Sequence, residues 1–253
     1  MNDLNEINED NLDKLFKLIE RPNKNYVYRG CTNVEFKLSP NIYRNINDKD
    51  IDNMEASLID IENYHSGFIN YLSKFVSENR FMAYYYSQHY GAKTKLLDFT
   101  HSPQIALLFA CEEWNNLARF NDVNSDVDGV IYIIDTTKYQ KVENSNYDAF
   151  EELIFSDNEE VISLSITING ITKQANLQDV VLLDPPKETN YNLNRLNNQD
   201  GCFFLFPNIG ANKFSINDEE CEGKIIIKAN VKPKILAYLK EHYDLDMDKI
   251  KEI

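Results

Sequence analysis

Three stretches of the chain combine residue types that could do chemistry. The first is Tyr28-Arg29-Gly30. An arginine at the end of a β-prone, buried-looking run is an unusual place for an ordinary surface charge. It can pair with an acidic side chain, or it can clamp an anion, because a planar guanidinium meets phosphate through two parallel hydrogen bonds. The second stretch runs from Gln88-His89-Tyr90-Gly91 through Lys93, Thr94 and Lys95 to Leu96-Leu97-Asp98-Phe99-Thr100. It sets an imidazole, a carboxylate and two hydroxyls around a strand that feeds an apolar helix. Those groups suit a capping network, with Asp98 and Thr100 bonding nearby backbone. They equally suit a ligand cleft at the strand end. The third stretch is Arg195 to Phe203, RLNNQDGCF. It reads as a helix end, a turn at Asp200-Gly201 and a strand. Alternatively, Arg195 and Gln199, at i and i+4, share one helical face beside a cleft.

The elements that must position these residues follow from hydrophobic periodicity. Leu12, Leu15, Phe16 and Ile19 mark one face of a helix that Asp10 or Asn11 can cap and Pro22 ends. Tyr26-Val27-Tyr28 is a short strand. Met54 to Phe75 and Phe81 to His89 are helical in pattern, the second rich in tyrosine and closed by Gly91. Leu96–Thr100 is a strand, and Pro103 to Trp114 is an apolar helix begun by Ser102-Pro103. Gly129–Asp135 is a buried strand by composition. Val161 to Ile168 and Ile171 to Leu183 are β-prone and joined at Asn169-Gly170, a strong hairpin signal. Cys202–Phe206 and Lys224–Ala229 are further strands, Lys232–Tyr243 is a helix, and the tail adds a short one. Helices fall mainly in the N-terminal half and strands in the second. This predicts an α+β fold with a mostly antiparallel sheet, as a single domain over 1–253, with an N-terminal helix over 1–22 and an α+β core over 23–253.

Composition narrows the function. Of 253 residues, 41 are Asp or Glu and 26 are Lys or Arg, a formal net charge of −15. Such a chain does not coat a phosphate backbone by bulk attraction, so any anion must be met at a local patch. Apolar residues at 43% and aromatics at 12% suffice for a buried core. The N-terminus lacks the basic start, apolar run and cleavage site of a signal peptide, and no stretch approaches the roughly 20 apolar residues of a spanning helix. A cytoplasmic location and no membrane partner are the expectation. Cys31, Cys111, Cys202 and Cys221 are scattered, and His65, His89, His101 and His242 lack metal-ligand spacing, so no metal site is expected.

Taken together, the polar segments resemble the FRG domain, a family named for a Phe-Arg-Gly motif. The resemblance is carried by Tyr28-Arg29-Gly30, Leu38-Ser39-Pro40, Arg44, Gln88-His89-Tyr90-Gly91, Thr94, Leu96–Thr100, Ala106, Phe109, Ala110, and Arg195 with Gln199, Gly201 and Phe203. It runs from about Tyr26 to Phe206. Two departures are Lys93, where the family often has proline, and Lys95, where it usually has arginine. More distantly, an Arg-bearing first strand, a Ser/Thr-bearing strand before a helix and a late Gln/Glu before a strand resemble the ADP-ribosyltransferase fold. That resemblance implies NAD as substrate. Arg29 would hold the pyrophosphate, Thr100 the nicotinamide ribose, and Gln199 would stand where those enzymes commonly carry Glu. It also implies stacking of Tyr28 or Tyr90 on nicotinamide, contacts from Gly30, Gln88 and Arg195, and His89 or Asp98 as base toward an acceptor. The implied function is an NAD-dependent ADP-ribosyltransferase-like or NAD-cleaving effector, a toxin or anti-phage protein, with a protein or nucleic acid as acceptor. Gln199 lacks a charge, which keeps open a non-catalytic nucleotide-binding or sensing module. Lys93, Lys95, His101 and Tyr84-Tyr85-Tyr86 also leave open a local surface for nucleic acid.

Overall fold

Burial of β-branched and aromatic runs organises the molecule around one sheet. The computed structural model describes residues 5–44, 88, 93–112, 126–142, 163–168, 171–176, 180–184, 197–206 and 215–251. Among the described residues ten strands run in chain order: β1 (Glu6–Ile7), β2 (Tyr26–Cys31), β3 (Leu96–Thr100), β4 (Gly129–Asp135), β5 (Gln140–Val142), β6 (Ser163–Ile168), β7 (Ile171–Asn176), β8 (Val181–Leu183), β9 (Gly201–Leu205) and β10 (Gly223–Ile227). The described helices are α1 (Leu12–Ile19), α2 (Pro103–Cys111), α3 (Lys232–Tyr243) and α4 (Met247–Lys251). Eight strands form one sheet in the order β1-β10-β4-β2-β3-β9-β8-β5, and β6 and β7 form a separate hairpin. The pairings are antiparallel except at the two edges, β1 with β10 and β5 with β8. The class is α+β with a mixed sheet.

Strand alternation sends successive side chains to opposite faces, and each face carries its own core. On one face Tyr28, Ile131, Ile133, Ile225 and Ile227 pack with Ala106, Leu108, Ile235 and Leu239 of α2 and α3. On the other, Val27, Cys31, Leu97, Phe99, Tyr132, Cys202 and Phe204 pack with Leu38, Ile42 and Ile216. Helix α2 is buried along nearly its whole length, from Ile105 to Leu108 and at Ala110 and Cys111, which explains why it is apolar all round. Ser102 starts it by accepting from the Ile105 amide at 3.3 Å, and Pro103 occupies the first turn.

Two glycines let α2 come close. A Cβ on Gly30 would stand 1.7 Å from the Ala106 carbonyl oxygen, and one on Gly129 would stand 2.2 Å from that of Ala110. At the N-terminus, Asn11 takes the capping position, but its side chain does not cap α1. It accepts from the Asn8 amide at 2.9 Å and donates to the Glu6 carbonyl at 2.8 Å. The predicted strand at 26–28 extends to Cys31 because β4 pairs with it throughout, from Tyr26↔Asp135 to Cys31↔Val130. β1 and β5 have no hydrophobic run of their own and form by pairing at the sheet edges. The β-prone stretch from Ile171 resolves into two strands, β7 and β8. The expected helices over 54–75 and 81–89 lie outside the described residues apart from helical Gln88. Two of the described helices precede the middle strands and two follow them.

Candidate functional site

The centre of the sheet is where pairing is thinnest. β4 pairs with every residue of β2, and β9 with every residue of β3. β2 and β3 share one registered pair, Tyr28↔Thr100. Beyond it the two strands part. Arg29 sits at this divergence on the face opposite α2, and its guanidinium spans the gap. Nη1 donates to the Asp98 carbonyl oxygen at 2.6 Å and lies 3.6 Å from the Asp98 carboxylate. The Arg29 side chain is only 16% exposed, whereas that of Asp98 is 56% exposed. The charge is therefore held by a mostly covered cation and a solvent-facing anion.

Asp98 also accepts from the Gln88 amide, and Gln88 in turn accepts from the Thr94 hydroxyl. Thr94 is fixed at the start of β3: its amide donates to Asn41 at 2.7 Å, and its hydroxyl accepts from the Leu96 amide at 3.3 Å. Arg44 joins from the segment between β2 and β3, its Nε donating to the Ser39 carbonyl at 3.1 Å. Partial desolvation lowers the Arg44 pKa, the nearby Arg29 charge lowers it further, and Asp98 pulls it back. Arginine side chains carry a full positive charge at neutral pH. Arg29, Arg44 and Asp98 together carry an excess of one positive charge, a local reversal in a chain of net charge −15.

A second polar knot lies at Thr100, the β3 member of that single registered pair. The Thr100 hydroxyl donates to the Gln199 carbonyl at 2.7 Å and accepts from the Ser102 amide at 3.0 Å. Its backbone partner is Gly201 of β9. Asp200, between Gln199 and Gly201, takes a left-handed turn conformation at φ 42° and accepts from the His101 amide at 3.0 Å. Aspartate tolerates that region better than most side chains do, which suits the predicted Asp200-Gly201 turn.

Two buried donors in this region have no hydrogen-bond partner among the described residues: Arg29 Nε and Gln199 Nε2. Each such group costs roughly 1–3 kcal/mol when left unmade. They are the only buried side-chain polar atoms in that state among the described residues. Both flank β3, one at each end of the Tyr28↔Thr100 pair.

The sequence-predicted residues separate into groups. Arg29, Gln88 and Asp98 are in direct contact. Thr100 and Gln199 are bonded to each other. Tyr28 and Gly30 turn toward α2 instead. Tyr28 is 4% exposed within the helix-side core, where desolvation raises its pKa, so it offers no open stacking face. Gly30 is accounted for by the approach of Ala106. Thr100 spends its one donor on Gln199, which makes it a positioning residue for the turn at 199–200. His89, Tyr90 and Arg195 lie outside the described residues. Asn41 was missed; an isolated asparagine in a loop carries no spacing signal.

An α+β domain with an arginine-centred, partly unsatisfied polar site at the opening between two central strands is the class that fold and site define. Residues 24–118 match the family described as FRG domain. That span takes in Tyr28-Arg29-Gly30, Arg44, the stretch from Gln88 to Thr100 and all of α2. It ends before Arg195 and Gln199, short of the reach to Phe206 read from the sequence. No curated protein and no solved structure matches the chain. Among the described residues, no helix is long and apolar enough to cross a membrane.

Proposed function

We propose that this site binds an anionic nucleotide, NAD, and that the chain is an ADP-ribosyltransferase-like or NAD-cleaving effector. The observation that carries the reading is the pair of buried, partnerless donors, Arg29 Nε and Gln199 Nε2, on either side of β3. A ligand bearing acceptor oxygens at two separated points relieves both once the Arg29 and Gln199 side chains turn to meet it, since both donor atoms are covered in this structure. A diphosphate fits the first, beside Arg29 and Arg44, because charge-assisted hydrogen bonds to guanidinium are the strong ones. The nicotinamide carboxamide or a ribose oxygen fits the second. The ADP-ribosyltransferase likeness of the fold is part of this proposal and rests on the chain order of Arg29, Thr100 and Gln199.

The chemistry asked of the residues is limited. The N-glycosidic bond of NAD breaks with its electron pair leaving on nicotinamide, and an oxocarbenium ion develops on the ribose. The exposed Asp98 carboxylate supplies the stabilising negative charge. A water or an acceptor hydroxyl, amine or carboxylate then forms the new bond at that carbon, and any proton it carries passes to Asp98. Gln199 orients the substrate and adds no charge.

One observation favours a second reading, a non-catalytic nucleotide sensor. The late position carries an amide in place of a carboxylate, and the Thr100 hydroxyl is committed to the protein itself. The experiment that separates the readings is incubation of the purified chain with NAD, following nicotinamide release and thermal stability together. Release that disappears in Asp98→Asn supports the enzyme. Stabilisation without release supports the sensor. Neither effect rejects both.

A further inference from the structure

A second group of chemistry-bearing side chains lies at the β3–β9–β8 end of the sheet. The β3–β9 register pairs Phe99 with Cys202, and β8 pairs Leu183 with Phe203. Continuing the second register by one residue sets Asp184 opposite Cys202. Alternation sends Cys202, Asp184 and His101 to one face of the sheet, His101 lying two residues beyond Phe99. Three strands separated widely in sequence thus deliver a thiol, a carboxylate and an imidazole to one point. Their ligand atoms all lie within 4.8 Å of one another. His101 Nε2 and Asp184 Oδ1 are 2.8 Å apart.

We infer that His101, Asp184 and Cys202 form a binding site for a borderline-soft divalent transition-metal ion, zinc by preference. Imidazole nitrogen, thiolate sulfur and carboxylate oxygen are the three donor types zinc takes. Ligand bonds of about 2.0 Å to N and O and about 2.3 Å to S, at tetrahedral angles, separate ligand atoms by roughly 3.3–3.5 Å. The His101–Asp184 pair, at 2.8 Å, opens by about half an ångström to reach that separation, and the thiol, at most 4.8 Å away, has up to about 1.3 Å to close. Cys202 is fully covered by protein, while the His101 and Asp184 side chains are 30% and 25% exposed. The ion enters from the His–Asp side and anchors inward on sulfur. Three protein ligands leave a fourth position for water.

The opposing features are the other charges at the site. Lys141, on neighbouring β5, pairs with Asp184 Oδ2. This is the carboxylate oxygen other than the one facing His101, so the lysine and the ion address different oxygens. Burial raises the thiol's pKa, so binding expels its proton to solvent and metal affinity rises with pH. The inference does not depend on the nucleotide reading, because none of the three ligands contributes to it.

The test is a cobalt titration of the purified chain after treatment with a chelator and buffer exchange. Cobalt(II) reports a thiolate ligand by a charge-transfer absorption and four-coordination by its visible bands. The expected result is saturation at one cobalt per chain with both signatures, and their loss on adding zinc. His101→Gln and Asp184→Asn should weaken binding beyond the roughly 10–100-fold that an outer-shell partner costs. Cys202→Ser should abolish the charge-transfer band. Cys202 is a core residue, so His101→Gln, at a partly exposed position, decides the matter if the cysteine variant fails to fold. Absence of cobalt binding, a spectrum without the thiolate band, or unchanged affinity in folded His101→Gln overturns the site.

Discussion

Replacing Gly30 with alanine tests whether that residue serves packing or ligand contact. The added Cβ would meet the Ala106 carbonyl oxygen at 1.7 Å, the Ala106 carbonyl carbon at 2.8 Å and the Ala110 amide nitrogen at 2.8 Å. All three are helix backbone atoms, so no rotamer change relieves them. To bring the closest contact to the 3.0 Å below which real Cβ atoms are essentially never found, α2 must retreat by about 1.3 Å. Gaps of 0.5–1 Å already forfeit a quarter to a half of a dispersion contact, and α2 buries Ile105, Ala106, Leu107, Leu108, Ala110 and Cys111 against its surroundings. Overpacking a core usually costs about 1–3 kcal/mol and occasionally more. We expect Gly30→Ala to lie at or beyond the upper end, about 3 kcal/mol. Urea unfolding of wild type and variant measures it, with a midpoint shift of roughly 1 M or more. Adding Ala106→Gly should not rescue the variant, because the offending oxygen belongs to the main chain. A loss below about 1 kcal/mol, or rescue by Ala106→Gly, would refute the packing argument and return Gly30 to the ligand.

Thr100→Val should cost about 1–3 kcal/mol, since it removes the bond to the Gln199 carbonyl and strands the Ser102 amide; chemical denaturation reads the loss, and a neutral effect would free Thr100 for a substrate role. Asp128 offers a pH test. Partial burial pulls its carboxyl upward, but hydrogen bonds from Lys228 at 3.0 Å and the Ala229 amide at 2.9 Å prevail and hold it below its ordinary value. A lowered folded-state value means its stabilisation is complete above the unfolded value of about 3.9 and fades as pH falls below it. Asp128→Asn should therefore flatten the stability profile below about pH 4 relative to wild type, read by thermal melts across that range; parallel profiles would contradict the assignment.

Much of this architecture was legible because local pattern and tertiary burial agree. Leu96–Thr100, Gly129–Asp135 and Lys232–Tyr243 emerge with the bounds read from the sequence, and Asn169-Gly170 separates the two strands of the β6–β7 hairpin. Each is a run whose composition matches a fully buried strand, an amphipathic helix or a tight turn. The edge strands β1 and β5 were not legible, since Glu6–Ile7 and Gln140–Val142 have only two or three residues and are defined by their neighbours. At the site, Arg29, Asp98 and Gln88 belong to two of the polar stretches singled out in the sequence, but their contact depends on the β2–β3 pairing. What sequence order could not tell is facing. Tyr28 and Arg29 are adjacent, yet alternation sends one under α2 and the other into the gap between strands. The His101–Asp184–Cys202 group was equally hidden, because its members have no common spacing and meet only through strand registers.

The central claim is that Arg29 is held for a ligand and not for the fold. Replacing it with methionine removes the 2.6 Å charge-assisted bond to the Asp98 carbonyl, worth roughly 1.5–3 kcal/mol, and also removes a buried partnerless donor that costs roughly 1–3 kcal/mol. The two nearly offset, so the variant should fold with stability within about 1 kcal/mol of wild type. The decisive measurement is calorimetric titration of wild type and Arg29→Met with NAD, each first shown to be folded by its unfolding curve. Saturable binding by wild type and loss of binding by a normally stable Arg29→Met are expected. Equal NAD binding by the two proteins, no binding by wild type, or a destabilisation above about 3 kcal/mol in the variant would contradict that claim.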